Sequence, residues 1–205
     1  MKRILLNTAY FPPIQYFSKV KDYEEIVIEQ YEHYGKQSYR NRCDIMTANG
    51  TMTLSVPVIK ATNKKILTKE TCIDYSTPWQ KLHFKGIESA YKNSPYYDYY
   101  MDYFTSFFIK KEKYLLDLNM KIIREIFDIL SLKNTVTLSE DYVNEPYQCD
   151  DFRDVIHPKP SRRRFNDPFV AKPYHQTFAE RFPFVPNLSI LDLLFNEGPD
   201  TALYL

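Results

Sequence analysis

Apolar and polar positions along the chain alternate in patterns that predict both strands and helices. Short apolar runs between turn residues predict six strands, at Lys2–Leu6, Glu25–Glu29, Arg42–Ala48, Thr51–Val58, Lys69–Asp74 and Thr135–Leu138. Apolar residues at steps of three and four predict five helices. Two of them begin at Pro13 and at Ser76, and the other three span Tyr96–Ile109, Glu112–Leu132 and Ile190–Phe195. A strand, a short helix and a second strand at the N-terminus favour a parallel pair with a right-handed crossover.

The pair Asn49-Gly50 separates the third and fourth predicted strands. Asn-Gly is the preferred centre of a type I′ turn, because both central residues of that turn need a positive φ. The sequence therefore predicts a β-hairpin here.

The predicted helix that begins at Ser76 should pack one face against the core. Its residues at helical spacing are Trp79, Leu82, His83, Gly86, Ile87 and Tyr91. We predict that Trp79 and His83 face inward and that His83 has a hydrogen-bond partner, because a buried imidazole without one costs about 1–3 kcal/mol.

The last third of the chain loses this periodicity. Asp141–Tyr174 is rich in Pro, Arg, Asp and Asn, so we predict an irregular arm that is either a lid or a contact with a partner. Six apolar residues should anchor the arm by their burial, namely Phe152, Val155, Ile156, Phe165, Phe169 and Val170. Three consecutive guanidinium groups are costly to bury, so Arg162–Arg164 should stay at the rim.

The predicted fold is α/β, with a mainly parallel central sheet, a β-hairpin attachment, flanking helices and the long irregular C-terminal arm. The 205 residues are expected to form a single domain. Within it we assign an α/β core to residues 1–139, the arm to 140–174 and a C-terminal helical segment to 175–205.

The balance of charges argues against two classes of partner. Lys and Arg number 27, Asp and Glu number 26, and the net charge is +1. Proteins that bind nucleic acid or an anionic membrane surface usually carry a clear basic excess. The chain also lacks an apolar run of about 18 residues and a secretory apolar region. We therefore expect no nucleic-acid partner, no transmembrane segment and a cytoplasmic location.

Glycine and cysteine usage limits the possible cofactors. The chain has 4 glycines, and none are spaced as in a GxGxxG turn or a P-loop. Its 3 cysteines, Cys43, Cys72 and Cys149, form no CxxC pair. We therefore predict reduced thiols, no bound cofactor and no metal site.

Candidate chemistry is densest in Glu29–Arg42, which directly follows the second predicted strand. Glu32 and His33 could act as an acid and base pair near neutral pH. Lys36, Arg40 and Arg42 could hold a phosphate or carboxylate. The alternative is a solvated connector that leads into the hairpin.

Aromatic residues complete the candidate site. Tyr10 and Tyr16 follow the first strand, and loops at the carboxyl ends of neighbouring parallel strands meet at one sheet edge. Trp79 and His83 lie four residues apart and therefore share one helical face. We assign Tyr10, Tyr16 and Trp79 to substrate binding and His83 to catalysis; the alternative for His83 is a structural role in the core.

Several segments in order resemble the WbqC-like proteins of bacteria. They are YFPPIQYF (10–17), KQSYRNR (36–42), TLSVPV (53–58), PWQKLH (78–83), YKNSPYY (91–97), Leu118-Asn119 and PNLSILDLLF (186–195). The family is associated with gene sets for surface polysaccharide, including O-antigen, and some members are suggested to be transferases. Longer members carry an acidic pair where this chain has Glu29-Gln30, and an additional α/β stretch where it has the arm.

The resemblance implies two alternative functions. The first is an enzyme that transfers an acyl, aminoacyl or similar group to a sugar precursor of a surface polysaccharide. Its substrate would be a small molecule, such as an anionic or nucleotide-linked sugar. The second is a non-catalytic binding or scaffold module of the same pathway, with the arm contacting a partner or a second copy of the chain. A pocket joining Tyr10, Lys36, Arg42 and His83 would favour the first.

Overall fold

The computed structural model describes residues 2–60 and 65–205. Its strands are β1 (Arg3–Asn7), β2 (Glu25–Glu29), β3 (Arg42–Thr47), β4 (Gly50–Ser55), β5 (Thr135–Leu138) and β6 (Cys149–Asp151). Its helices are α1 (Ile14–Val20), α2 (Trp79–Tyr91), α3 (Tyr97–Thr105), α4 (Leu115–Ile129), α5 (Ile190–Glu197) and α6 (Thr201–Tyr204). The predicted α/β class is confirmed.

Four strands form a parallel sheet in the order β5-β2-β1-β6. Ile4, Leu5 and Leu6 of β1 are all buried, as expected of a parallel strand with both faces covered. The register places Ile4 beside Ile26 of β2. All four carboxyl ends therefore lie along the same edge of the sheet.

The edge strand β6 lies inside the segment that we predicted to be irregular. It pairs with β1 through Cys149, Asp150 and Asp151. Its three residues contain no apolar alternation, so the local pattern gave no strand signal. The backbone of β1 provides the hydrogen-bonding partner that makes this segment a strand.

The predicted strand Lys69–Asp74 is wrong. The chain forms a 3₁₀ turn at Thr68–Glu70, and Cys72 and Ile73 then make only isolated bridges. The backbone N–H of Ile73 donates to the carbonyl of Lys113 just before α4. Only Thr71 and Ile73 of this segment are buried, and the segment crosses the chain before α4 without running along a partner strand.

The predicted hairpin is confirmed as β3 and β4, but its turn differs from the expected one. Thr47 pairs with Gly50 across the strands, so Ala48 and Asn49 form the turn. Only Gly50 of the Asn-Gly pair has a positive φ, at 98°. The turn is therefore not a type I′ turn centred on both residues, and glycine is needed at the one position with left-handed backbone.

The helices follow the predicted order; α3 and α4 are shorter than predicted, whereas α5 extends two residues further, to Glu197. α3 ends at Thr105 and continues as a 3₁₀ turn over Ser106–Phe108. α4 is shorter at both ends than the predicted Glu112–Leu132. On α2, Leu82 is exposed although we placed it on the buried face, whereas Trp79 and His83 are buried as predicted.

The C-terminal segment lies between the N-terminal turn and the hairpin. Ser189 donates its backbone N–H to Asp44 of β3, and Ile190 donates to Pro12. The Ser189 hydroxyl caps α5 by accepting from Leu191 N. Nearly all of α5 is buried, so the last helix belongs to the core.

The arm packs over the carboxyl edge of the sheet, but only some of the six apolar residues predicted to anchor it are buried there. Val155 and Ile156 are buried, and Phe152 and Phe169 pack partly against the core. Two expected anchors, Phe165 and Val170, are exposed. The side chains of Arg162 and Arg164 are exposed and that of Arg163 is half-buried.

Across residues 2–60 and 65–205, every helix is too short or too polar to span a bilayer.

Candidate functional site

The carboxyl edge of the parallel sheet carries a buried network of charged side chains. Glu29, at the end of β2, is fully buried. Its carboxylate accepts hydrogen bonds from four groups: Tyr31 N at 2.9 Å, Ser139 Oγ at 2.9 Å, Val143 N at 3.0 Å and Arg153 Nη1 at 3.3 Å. Arg153 also makes a two-point ion pair with Asp151 at the end of β6, with N–O distances of 3.0 and 2.8 Å.

A second buried ion pair joins Glu32 to Arg40. Arg40 donates from Nε to Oε1 and from Nη2 to Oε2, both at 2.7 Å. Asn7, at the end of β1, donates from Nδ2 to Oε2 of Glu32 at 2.7 Å. The backbone carbonyl of Arg40 accepts from Asn119 of α4 at 2.8 Å. These contacts fix both charged groups and show that Arg40 does not lie on a solvated connector.

Burial and ion pairing shift the pKa values of Glu32 and Arg40 in opposite directions. Burial raises the pKa of Glu32, and hydrogen bonds from Arg40 reduce that rise without cancelling it, because Asp154 and Glu29 add negative charge nearby. Burial is the largest single influence on Arg40 and lowers its pKa. The hydrogen bonds and negative charges of Glu32 and Asp154 together outweigh burial, so the pKa of Arg40 lies above its ordinary value. Pairing therefore keeps Arg40 charged inside the protein.

The arm closes over this network. Asp154 accepts from Arg40 Nη2 at 3.0 Å, and its backbone N–H donates to Asn7 Oδ1 at 2.6 Å. Two further contacts reach the segment after β2: Lys159 Nζ donates to Gln37 Oε1 at 2.6 Å, and Arg162 Nη1 donates to the Lys36 carbonyl at 3.3 Å. Under the arm there is space for about one water molecule, in a cavity of about 10 Å³.

Thr8 and Tyr16 line this small cavity. The Thr8 hydroxyl is buried and has no hydrogen-bond partner among the described residues. Tyr16, one of the predicted substrate-binding residues, is buried, and its hydroxyl donates to the Asn7 carbonyl at 3.4 Å. With the arm in this position, Tyr16 is closed off from solvent.

Tyr10, Trp79 and His83 form a separate cluster in the core. The Tyr10 hydroxyl and His83 Nδ1 lie 2.9 Å apart, and the Trp79 and His83 ring centroids lie 5.1 Å apart. Burial lowers the pKa of His83 to about 4, partly offset by a backbone hydrogen bond with Ser55. The imidazole is therefore neutral at neutral pH, and in the tautomer protonated at Nε2 its Nδ1 accepts a hydrogen bond from the Tyr10 hydroxyl.

An open cleft lies on the other side of the segment after β2. Its volume is about 290 Å³, and its described lining residues are His33, Tyr34, Lys36, Val58, Ile59, Lys60, Lys65, Ile66 and Thr71. The described lining includes three lysines and no carboxylate. Lysine ammonium groups bind phosphate as point charges, so the cleft suits an anionic ligand.

The predicted site residues therefore fall into five places. His33 and Lys36 line the cleft, Glu32 and Arg40 form the buried ion pair, and Tyr10, Trp79 and His83 lie in the core. Tyr16 borders the small cavity. Arg42 is half-buried at the start of β3, and its Nε has no hydrogen-bond partner within the described chain. Tyr10, Lys36, Arg42 and His83 thus do not surround one open pocket.

The predicted convergence of the two strand-end loops is nevertheless visible in the backbone. Tyr10 N donates to the Tyr39 carbonyl at 2.9 Å, and Asn7 reaches Glu32. Asn7 was not among the predicted site residues, although its position at the end of the first strand is a usable signal. Lys60 and Lys65 carried no local signal, because only the folded chain brings them beside Lys36.

No set of three or more His, Cys, Asp or Glu side chains within residues 2–60 and 65–205 is arranged to hold a metal ion.

The parallel sheet, the hairpin and the surrounding helices define an α/β protein with a buried charged network at the carboxyl edge of the sheet. The chain belongs to the WbqC-like protein family, whose sequence model matches residues 8–156 and 161–204. It is similar to the uncharacterized protein Rv1507c of Mycobacterium tuberculosis, with 25% identity over 230 residues that cover 100% of this chain and 98% of that relative. No solved structure matches the chain.

Proposed function

We propose that this protein is a group transferase that acts on an anionic, phosphate-bearing sugar precursor of a bacterial surface polysaccharide. The basic cleft carries this proposal. Lys36, Lys60 and Lys65 would neutralise a phosphate or diphosphate, while Val58 and Ile59 would contact the rest of the ligand. The resemblance to the WbqC-like proteins supports the choice of a polysaccharide precursor.

His33 is the proposed acid or base at the cleft. It is exposed, and it lines the cleft together with Lys36. An imidazole can accept the proton of an acceptor hydroxyl or amine as that group attacks the acyl carbon of a thioester donor. The bond between the acyl carbon and sulfur then breaks, and the imidazolium can protonate the departing thiolate. Glu32 would act as a positioning residue, because its carboxylate is held by Arg40 and Asn7.

Ligand binding is the first test. Isothermal titration with UDP-N-acetylglucosamine, pyrophosphate and free N-acetylglucosamine separates phosphate recognition from sugar recognition. We expect the two phosphate compounds to bind and the free sugar not to bind. Lys36→Ala and Lys65→Ala should each weaken binding about tenfold, whereas Lys85→Ala on the exposed face of α2 should not. Equal weakening by the control, or no binding of either phosphate compound, would contradict the proposal.

Transfer is tested separately by mass spectrometry of the sugar nucleotide after incubation with acyl donors. We expect an acylated product that His33→Ala abolishes while ligand binding remains. Binding without any transfer to the tested acceptors would instead support a non-catalytic binding module. One observation favours that second function: Glu32 and His83 are engaged in internal hydrogen bonds and do not face the cleft.

A further inference from the structure

Helix α3 presents tyrosine rings on both its buried and its exposed sides. Tyr100 is buried, whereas Tyr99 and Tyr103 are 64% and 44% exposed. Tyr99 and Tyr100 meet edge-to-face with their ring centroids 4.8 Å apart. The Tyr103 centroid lies 6.4 Å from each of the other two. The three rings therefore stand together at several different angles.

These rings form a cleft with the C-terminal half of α4. The cleft has a volume of about 230 Å³ and is lined by Tyr99, Tyr100, Tyr103, Glu125, Asp128 and Ile129. Glu125 and Asp128 are three residues apart, so both carboxylates lie on the same side of α4. Neither side chain has a hydrogen bond or an ion pair within residues 2–60 and 65–205.

The negative charge of Asp128 influences the ionisation of Glu125 in this cleft. Burial raises the pKa of Glu125, and the nearby charge of Asp128 raises it further. No basic side chain in the described part of the chain lowers this pKa. The cleft thus places two carboxylates beside three tyrosine rings, and both carboxylates and aromatic ring faces attract a positively charged occupant.

We propose that this tyrosine and carboxylate cleft is a second binding site, for an organic cation such as a quaternary ammonium group. Cations bind aromatic rings within about 6 Å of the ring centroid. The centroid distances among Tyr99, Tyr100 and Tyr103 let a cation about 4.5 Å from the plane through the three ring centroids lie within that limit of all three. The site is separate in residues and opposite in charge from the lysine-lined cleft, and it does not depend on the transferase proposal.

Charge is the property that the experiment must isolate. Choline and dimethylbutanol, its neutral carbon isostere, have nearly the same shape and differ in the ammonium charge. Ligand-detected NMR titration of the full-length protein gives a Kd for each. We expect choline to bind about tenfold more tightly than dimethylbutanol. Tyr99→Leu and Asp128→Asn should each remove most of that preference.

Matched controls use residues of the same type outside the cleft. Tyr147→Leu changes a tyrosine that is 80% exposed on the arm, and Asp117→Asn changes an exposed acid in the first turn of α4. Both should keep the wild-type preference for choline. All four positions are at the surface, and far-UV circular dichroism checks that each variant is folded.

Three results would overturn the proposal. Equal affinity for choline and dimethylbutanol would show an apolar groove without charge selectivity. Binding of neutral oligosaccharides but not of choline would show a carbohydrate platform. Absence of choline binding, together with a concentration-dependent dimer that Tyr99→Leu abolishes, would show a protein interface.

Discussion

The buried imidazole of His83 should make the stability of this protein depend on pH. Its folded-state pKa is about 4, compared with 6.5 for the ordinary side chain, because burial disfavours the charged form. The unfolded state therefore binds the proton more readily than the folded state. The stabilisation is complete above pH 6.5 and is lost as pH falls from there toward 4.

The size of the effect follows from the pKa difference. Linkage of protonation to folding gives a loss of about 2 kcal/mol in the free energy of unfolding between about pH 7.5 and pH 5. Most of it arises because the charged ring would lie beside Tyr10 and Trp79 in the core, where no carboxylate is seen to pair with it. Protonation at Nδ1 would also remove the acceptor for the Tyr10 hydroxyl.

Urea denaturation at a series of pH values measures this effect. His83→Gln keeps a neutral polar side chain at the position but cannot titrate. The wild-type free energy of unfolding should fall by about 2 kcal/mol more than that of His83→Gln over this pH range. His175→Gln changes an exposed histidine and should follow the wild type. If the wild-type and His83→Gln curves run parallel, the low pKa assigned to His83 is wrong.

Two further predictions concern the buried polar groups. Arg40→Met should destabilise the protein by about 3–5 kcal/mol, because it leaves the buried Glu32 carboxylate without its cation. Glu32→Gln should cost less, because Arg40 keeps its ion pair with the partly exposed Asp154. Denaturation of the double variant should show a smaller loss than the sum, and additive losses would show that the pair is not coupled. Tyr174→Phe removes the 2.6 Å hydrogen bond to the buried carboxylate of Asp192 and should cost about 1–3 kcal/mol. A thermal denaturation curve unchanged by Tyr174→Phe would contradict the structural role of that bond.

The amino-acid pattern determined the parts of the fold whose signals are local. β1, β2 and β5 are apolar runs between turn residues, and each appears close to its predicted bounds. The Asn-Gly pair was sufficient to locate the hairpin, because a positive φ is needed there whatever the rest of the chain does. The inward direction of Trp79 and His83 followed from helical spacing alone.

Only the tertiary structure decided which candidate residues meet. Asn7 contacts Glu32 across 25 positions of sequence, and Asp154 contacts Arg40 across 114. No periodic pattern encodes such distances, because each contact depends on how the sheet and the arm pack. For the same reason, the sequence suggested that Arg40 binds an anion, whereas in the structure Arg40 forms an internal ion pair with Glu32. The lysines that line the open cleft come together only once the segments after β2 and β4 lie side by side.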